Sequence, residues 1–334
     1  MGYPLRYGLF MAAYYITNAV YQGYITLYFK HAGMNEAQRG ALIAAVSLVS
    51  VFAQPFWGTV GDRSKSRART IRLQCLGAAV SVLLFPLAGS QFGILLAFTC
   101  AFSAFYTSIQ PMGDSVILES LQERDQPFGP IRWCGCVSFA VASMLFGYLV
   151  DGGGRERWIL WFTAGLLAAT CLSTWTLPQT GGAQKAGSKL SMLTLLKNRE
   201  LMLLIALTMP LQLTMGYFYG FFSTHFTSLP GGSESLLGWC YLISALSETP
   251  FLLFSDKFFR KFGAGRLMLA SAALLTLRWV LLAATDSVPI NMVSQALHGG
   301  GFIVITVSTA KYISLTVPAE LRSSGQMLLA VTGF

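Results

Sequence analysis

The chain has 334 residues, 54% of them apolar and only 11% charged, with a formal net charge of +9. A soluble domain carries about 25% charged residues, so composition excludes an ordinary water-soluble fold and points to an all-α integral membrane protein. In such a protein the basic excess reads as cytoplasmic loops rather than as a nucleic-acid surface.

Ten stretches reach the roughly 20 apolar residues that cross a hydrocarbon core: about 7–29, 38–60, 71–89, 92–121, 132–150, 158–177, 201–227, 236–255, 266–284 and 289–315. The first is too long and too aromatic for a cleavable signal peptide and reads as a first span. An eleventh begins near Gly325 and stops at Phe334 in mid-helix. The chain is therefore expected to end within its eleventh span, short of its final helices. Pro55, Pro111, Pro210 and Pro250 are expected to bend the spans that hold them. Six cysteines follow no ligand or disulfide spacing, and the closest pair, Cys134 and Cys136, lies in an apolar run where Cys behaves as a small hydrophobe.

Lys and Arg set the orientation. With the N-terminus inside, the inner segments hold sixteen basic residues, from Arg6 through the Arg63–Arg72 cluster to Arg322. The outer loops hold four: Lys30, Arg39, Arg155 and Arg157. That bias predicts a cytoplasmic N-terminus in a multi-pass protein of the cell membrane.

The chain repeats itself. The second span ends in Gly58-Thr59-Val60-Gly61-Asp62-Arg63-Ser64-Lys65-Ser66-Arg67, and the eighth in Phe254-Ser255-Asp256-Lys257-Phe258-Phe259-Arg260-Lys261. Asp62 and Asp256 lie 194 residues apart, about six spans and their loops. The longest hydrophilic stretch falls between them. The expected plan is an N-terminal six-helix bundle over 1–177, a flexible cytoplasmic linker over 178–199, and an incomplete C-terminal bundle over 200–334. Two six-helix halves joined this way are the plan of a rocker transporter, with its site near the bilayer midplane.

The segment after the second span resembles the loop signature of the major facilitator superfamily, with Lys65 where that signature often has Gly. Further stretches narrow the resemblance. Phe128-Gly129-Pro130-Ile131-Arg132-Trp133-Cys134-Gly135-Cys136 opens the fifth span, and Arg278-Trp279 lies in the ninth. Gln295-Ala296-Leu297-His298-Gly299 lies in the tenth, followed by Lys311-Tyr312-Ile313. Together these resemble the branch that holds lactose permease and the phenylpropionate and nucleoside proton symporters. The resemblance implies a secondary active transporter, symporting a small polar solute (a sugar, a nucleoside or an aromatic or organic acid) with a proton. It implies no bound cofactor, the proton being the coupling ion, and a monomer whose partners are the solute and the lipid bilayer.

A charge at a helix centre in a membrane costs roughly 2.5–3.5 kcal/mol, so charges inside spans need reasons. Asp114 and Arg132 sit on consecutive spans and can pair. A carboxylate accepts and a guanidinium donates in a fork, so the two can orient a polyol. The resemblance assigns their positions to a substrate-gripping acid and Arg. Glu248, Arg278 and His298 fall on spans eight, nine and ten. His changes charge near neutral pH, and a buried Glu can be brought toward it. The resemblance assigns this set to proton coupling. The plainer reading, a network that only fixes helix packing, stands beside both; for Lys311, near a span's end, packing or snorkelling is favoured.

Tyr14, Asn18, Tyr21 and Gln22 share a helical spacing on the first span, as do Gln212, Met215 and Tyr219 on the seventh. Either stripe lines a cavity or packs helices. Tyr217, Phe218, Phe221 and Phe222 read as packing or interface aromatics. Gly58, Asp62 and Arg63 read as a conformational latch on the cytoplasmic side, because an acid at a helix end can pair with Arg and with backbone amides of a neighbouring helix. The resembled permease carries a second acid one turn after its His, where this chain has Gly301, and a Lys where it has Gln295. Glu248 is then the proton carrier, or coupling is lost. The alternatives are an uncoupled facilitator or exporter on the same fold, and a non-transporting membrane sensor. No metal cluster, nucleophile–base pair or nucleotide loop suggests an enzyme.

Overall fold

The computed structural model describes residues 3–122, 126, 129–178, 197–302 and 304–305. Most of the 178–199 linker, Lys311 and the stretch from Gly325 lie outside the described residues, as do the side chains of Asp62 and Arg63.

Among the described residues every regular element is helical. In order they are α1 (Tyr3–His31), α2 (Glu36–Arg63), α3 (Arg67–Leu83), α4 (Phe92–Tyr106), α5 (Ile109–Gln122), α6 (Gly129–Val150) and α7 (Trp158–Ser173). Then come α8 (Arg199–Ser228), α9 (Glu234–Phe262), α10 (Ala264–Ala284) and α11 (Val288–Ser294). Short 3-10 turns cover Phe85–Ala88, Thr174–Thr176 and Gln295–Leu297. By length and composition, eight segments among the described residues can cross a membrane.

Local chemistry sets the ends. Asn35 caps α2 by accepting from the Gln38 amide at 2.9 Å, while the Gln38 side chain accepts from the Asn35 amide at 3.0 Å, a reciprocal capping box. Gly263, at φ +74°, separates α9 from α10, a conformation that a Cβ disfavours.

Two expected spans are interrupted. The fourth, read as continuous over 92–121, breaks at Thr107–Ser108 between α4 and α5. Pro111 has no N–H to offer the Thr107 carbonyl. The Thr107 hydroxyl also donates to the Ser103 carbonyl at 2.9 Å, competing with the helix ladder. The tenth tightens into the 3-10 turn Gln295–Leu297. In α9 the dihedrals leave the helical region at Phe254 (φ −118°, ψ 15°), one turn beyond Pro250.

The described chain forms two compact units. Unit 1 holds the described residues within 1–184, 223–228 and 232–242; unit 2 holds those within 185–222, 229–231 and 243–334. In unit 1, α1 packs on α6 and α7, and α3 packs on α4 and α7. Glycines permit the closest approaches. A methyl on Gly147 would run into the Glu234 carbonyl, and one on Gly238 would lie 2.8 Å from the Ser143 carbonyl. The backbones of α6 and the start of α9 therefore nearly touch. In unit 2, α10 packs against α11 and the 3-10 turn that follows it.

Candidate functional site

Among the described residues, each unit carries a cluster of charged side chains set within its spans. In unit 1, Asp114 lies on α5 just past the Thr107–Ser108 break, and Arg132 lies in the first turn of α6. Arg132 Nη1 donates to Asp114 Oδ2 at 3.2 Å. Both side chains keep about a quarter of their surface open, 22% for Asp114 and 28% for Arg132. The guanidinium also lies 5.2 Å from the centroid of the Tyr15 ring, and the Tyr15 hydroxyl accepts from Gln110 at 3.0 Å. Asp114 Oδ1 is buried and, among the described residues, meets no hydrogen-bond donor in good geometry, although the Gln110 side chain lies near the carboxyl. An ionised carboxylate oxygen in that state is an acceptor awaiting a donor.

The α1 stripe divides. Tyr14 is buried, stacked on Tyr106 at 5.9 Å and edge-on to Tyr15 at 5.7 Å. Tyr21 packs on Phe102 at 4.3 Å. Those two rings serve an aromatic core. Asn18 accepts from the Tyr106 hydroxyl at 3.0 Å, and both Asn18 and Gln22 remain half-buried. Sequence reasoning passed over Tyr15 and Gln110; Tyr15 sits beside Tyr14 on the same apolar stretch and had no distinguishing pattern.

In unit 2, His298 Nε2 lies 3.4 Å from Glu248 Oε1. His298 is almost wholly buried, while the Glu248 side chain is 13% exposed. The imidazole is surrounded by rings: Phe302 at 5.5 Å, Phe218 at 5.8 Å and Tyr219 at 6.3 Å between centroids. Of the α8 stripe, Tyr219 thus joins the cluster, Met215 is buried and Gln212 is half-buried.

Arg278 is fully buried. Its Nη2 donates to Gln295 Oε1 at 2.6 Å, and its guanidinium carbon lies 4.0 Å from the Phe218 ring centroid. Phe218, read from sequence as a packing aromatic, is therefore also a cation–π partner. The role of Gln295 as acceptor for Arg278, and Ser244 beside it, were missed as well. The available signal was spacing: Ser244, Ser247 and Glu248 share one face of α9, and Gln295 precedes His298 by three residues.

Gly301, the position of the absent acid, has no room for a side chain without rearrangement. A Cβ there would lie 2.6 Å from Leu275 Cγ and Cδ2, and the Gly301 carbonyl accepts from the Ser271 hydroxyl. Gly299 meets the Ser247 backbone just as closely. The glycine triplet packs this segment onto α9 and α10. At the end of α2, Gly58 is half-buried, and Ser64 caps the helix by donating to the Gly61 carbonyl at 2.7 Å.

The MFS_1 like family model matches residues 5–334, nearly the whole chain. The chain belongs to that family. Maltose permease of Geobacillus stearothermophilus is 26% identical over 331 residues, covering 99% of this chain and 83% of that protein. A probable 3-phenylpropionic acid transporter of Escherichia coli is 25% identical over 315 residues, covering 92% and 81%. Nucleoside permease NupG of Escherichia coli is 24% identical over 344 residues, covering 93% and 78%. The crystal structure of the nucleoside transporter NupG superposes with a TM-score of 0.82 at 19% identity, over all of this chain and 87% of that one. The POT family transporter PepTSo superposes with a TM-score of 0.76 at 13% identity, covering 100% of this chain and 88% of that one. This member of the MFS_1 like family thus has the all-helical major facilitator fold and is a multi-pass membrane transporter.

Proposed function

We propose that the protein is a proton-coupled symporter of a small polar solute in the cell membrane, working by alternating access as a monomer with a cytoplasmic N-terminus. The observation that carries this reading is the half-open Asp114–Arg132 pair, in which one buried carboxylate oxygen has no well-placed hydrogen-bond donor among the described residues. A solute hydroxyl supplies that donor, and the guanidinium offers further N–H groups to a hydroxyl or a carboxylate. Sugars, nucleosides and aromatic acids, the cargo named for the relatives, all present such groups. Asn18 and Gln22 are half-buried amides suited to further contacts with the solute.

Proton coupling falls to Glu248 with His298. Glu248 is the carboxylate set well inside a C-terminal-half span, and the packing around Gly301 leaves no place for a second acid there. Arg278, in the same unit, is the third member of that coupling set. One proton entering down about 100 mV releases about 2.3 kcal/mol, which supports roughly fifty-fold accumulation of a neutral solute at 1.4 kcal/mol per decade. Gly58, Asp62 and Arg63 act as the cytoplasmic latch.

The test is uptake of maltose, uridine and 3-phenylpropionate into proteoliposomes, with and without an inward proton gradient. Uphill accumulation of one solute only under the gradient is the expected result. Equilibration at the same final level in both conditions would make the protein an uncoupled facilitator.

A further inference from the structure

We propose that Gln295 is a positioning residue that holds Arg278 in register with the Glu248–His298 pair. This inference rests on the coupling role given above to that cluster.

Every polar group of the Gln295 side chain is engaged. Oε1 accepts from Arg278 Nη2 at 2.6 Å and from the Ser244 hydroxyl at 3.1 Å. Nε2 donates to the Asn291 carbonyl at 2.9 Å and to Ser294 Oγ at 3.3 Å. The amide has one workable orientation. A guanidinium only donates, so a flipped amide would set NH2 against Nη2, donor against donor. Gln295 is itself fully buried, where losing one partner leaves the other unsatisfied.

The contacts form a ladder between α9 and the segment that follows α11. Ser244 meets Gln295, Ser247 Oγ accepts from the Gly299 amide at 2.8 Å, and Glu248 meets His298. The His298 amide in turn donates to the Gln295 carbonyl, closing the 3-10 turn. The turn thus sets the Gln295 and His298 side chains at fixed positions on that ladder. Through Oε1, Gln295 ties the α10 guanidinium to the ladder that carries the titratable pair. A shift of α10 along α9 must stretch the Arg278–Gln295 bond or drag the turn with it. In either case the arginine's movement reaches His298 through Gln295 and two hydrogen bonds.

The test uses the full chain in proteoliposomes, with maltose, uridine and 3-phenylpropionate as probes, and the purified protein in detergent. Gln295→Leu keeps the volume and removes the acceptor. It is expected to lower gradient-driven accumulation about tenfold, the scale of one hydrogen bond to a charge, while KM for exchange at equal concentrations changes less than about threefold. Gln295→Glu restores the acceptor toward Arg278 but loses the donor to the Asn291 carbonyl, and is expected to recover part of the accumulation. Wild-type accumulation in Gln295→Leu would overturn the proposal.

The second measurement is a thermal-unfolding cycle of Gln295→Leu, Arg278→Leu and their double variant. Partners in one network couple by a few degrees in the midpoint, so the double variant is expected to melt no lower than the worse single one. Additive shifts would overturn the link whatever the transport assay gives. If the wild type moves none of the probes, the symport reading fails. The cycle then decides alone whether Gln295 holds Arg278.

Discussion

Arg132 and Arg278 are the same residue type, both within spans, yet their surroundings differ. Arg132 meets a carboxylate, and the pair keeps about a quarter of its surface open. Arg278 is fully enclosed and meets a neutral amide oxygen and the face of Phe218. In water-accessible surroundings an ion pair exchanges partners readily, so a solute can insert its own donors and acceptors. In a closed core a partner cannot be replaced without leaving a buried group unsatisfied. The first arrangement suits binding and release; the second suits transmission of movement. Calling both "a buried arginine" hides that difference.

The comparison is sharpened most by breaking the open pair. Asp114→Ala or Arg132→Ala is expected to cost about 1.5–3 kcal/mol of solute affinity, roughly 10- to 150-fold, while the protein still inserts and folds. Binding titration with the transported solute checks this, and near-normal affinity in both variants would remove the pair from the site. Next comes packing in the closed cluster. Gly301→Leu must displace Leu275, and overpacking of this kind costs about 1–3 kcal/mol. A lower thermal midpoint with solute affinity at the Asp114–Arg132 pair preserved is the expected outcome; an unchanged midpoint would mean the segment is loosely packed. Asp62→Asn is expected to slow turnover severalfold with little change in affinity, since a latch biases the balance of two states rather than the site. An affinity loss at unchanged turnover would contradict that. His298→Gln is expected to have the smallest effect, a partial loss of gradient-driven accumulation, because an amide replaces part of what a neutral imidazole does. Complete uncoupling in this variant would move the proton from Glu248 to His298.

Much of this was legible in the sequence because membrane spans announce themselves by length and hydropathy. The charged residues stood out for the same reason: Asp114, Arg132, Glu248, Arg278 and His298 interrupt apolar runs. Their pairing was half legible. Asp114 with Arg132 is an ion pair as expected, and Glu248 lies beside His298. The partner of Arg278 was not, because Gln295 is uncharged and reads as the loss of a cation rather than as the acceptor it is. The break at Thr107–Ser108 was hidden because Thr and Ser also occur inside unbroken spans, and Pro111 alone does not say whether a helix bends or stops. Tyr14 and Tyr21 show the limit of helical spacing, which predicts that residues share a face but not whether that face meets a cavity or other rings.

The central claim is that Glu248 carries the proton that drives accumulation. The most direct measurement is uphill uptake by the Glu248→Gln protein in proteoliposomes under an inward proton gradient, beside its exchange of solute at equal concentrations. Gln mimics the protonated carboxyl, so exchange is expected to persist while gradient-driven accumulation disappears. Accumulation at the wild-type level would contradict the account and move the proton to another group.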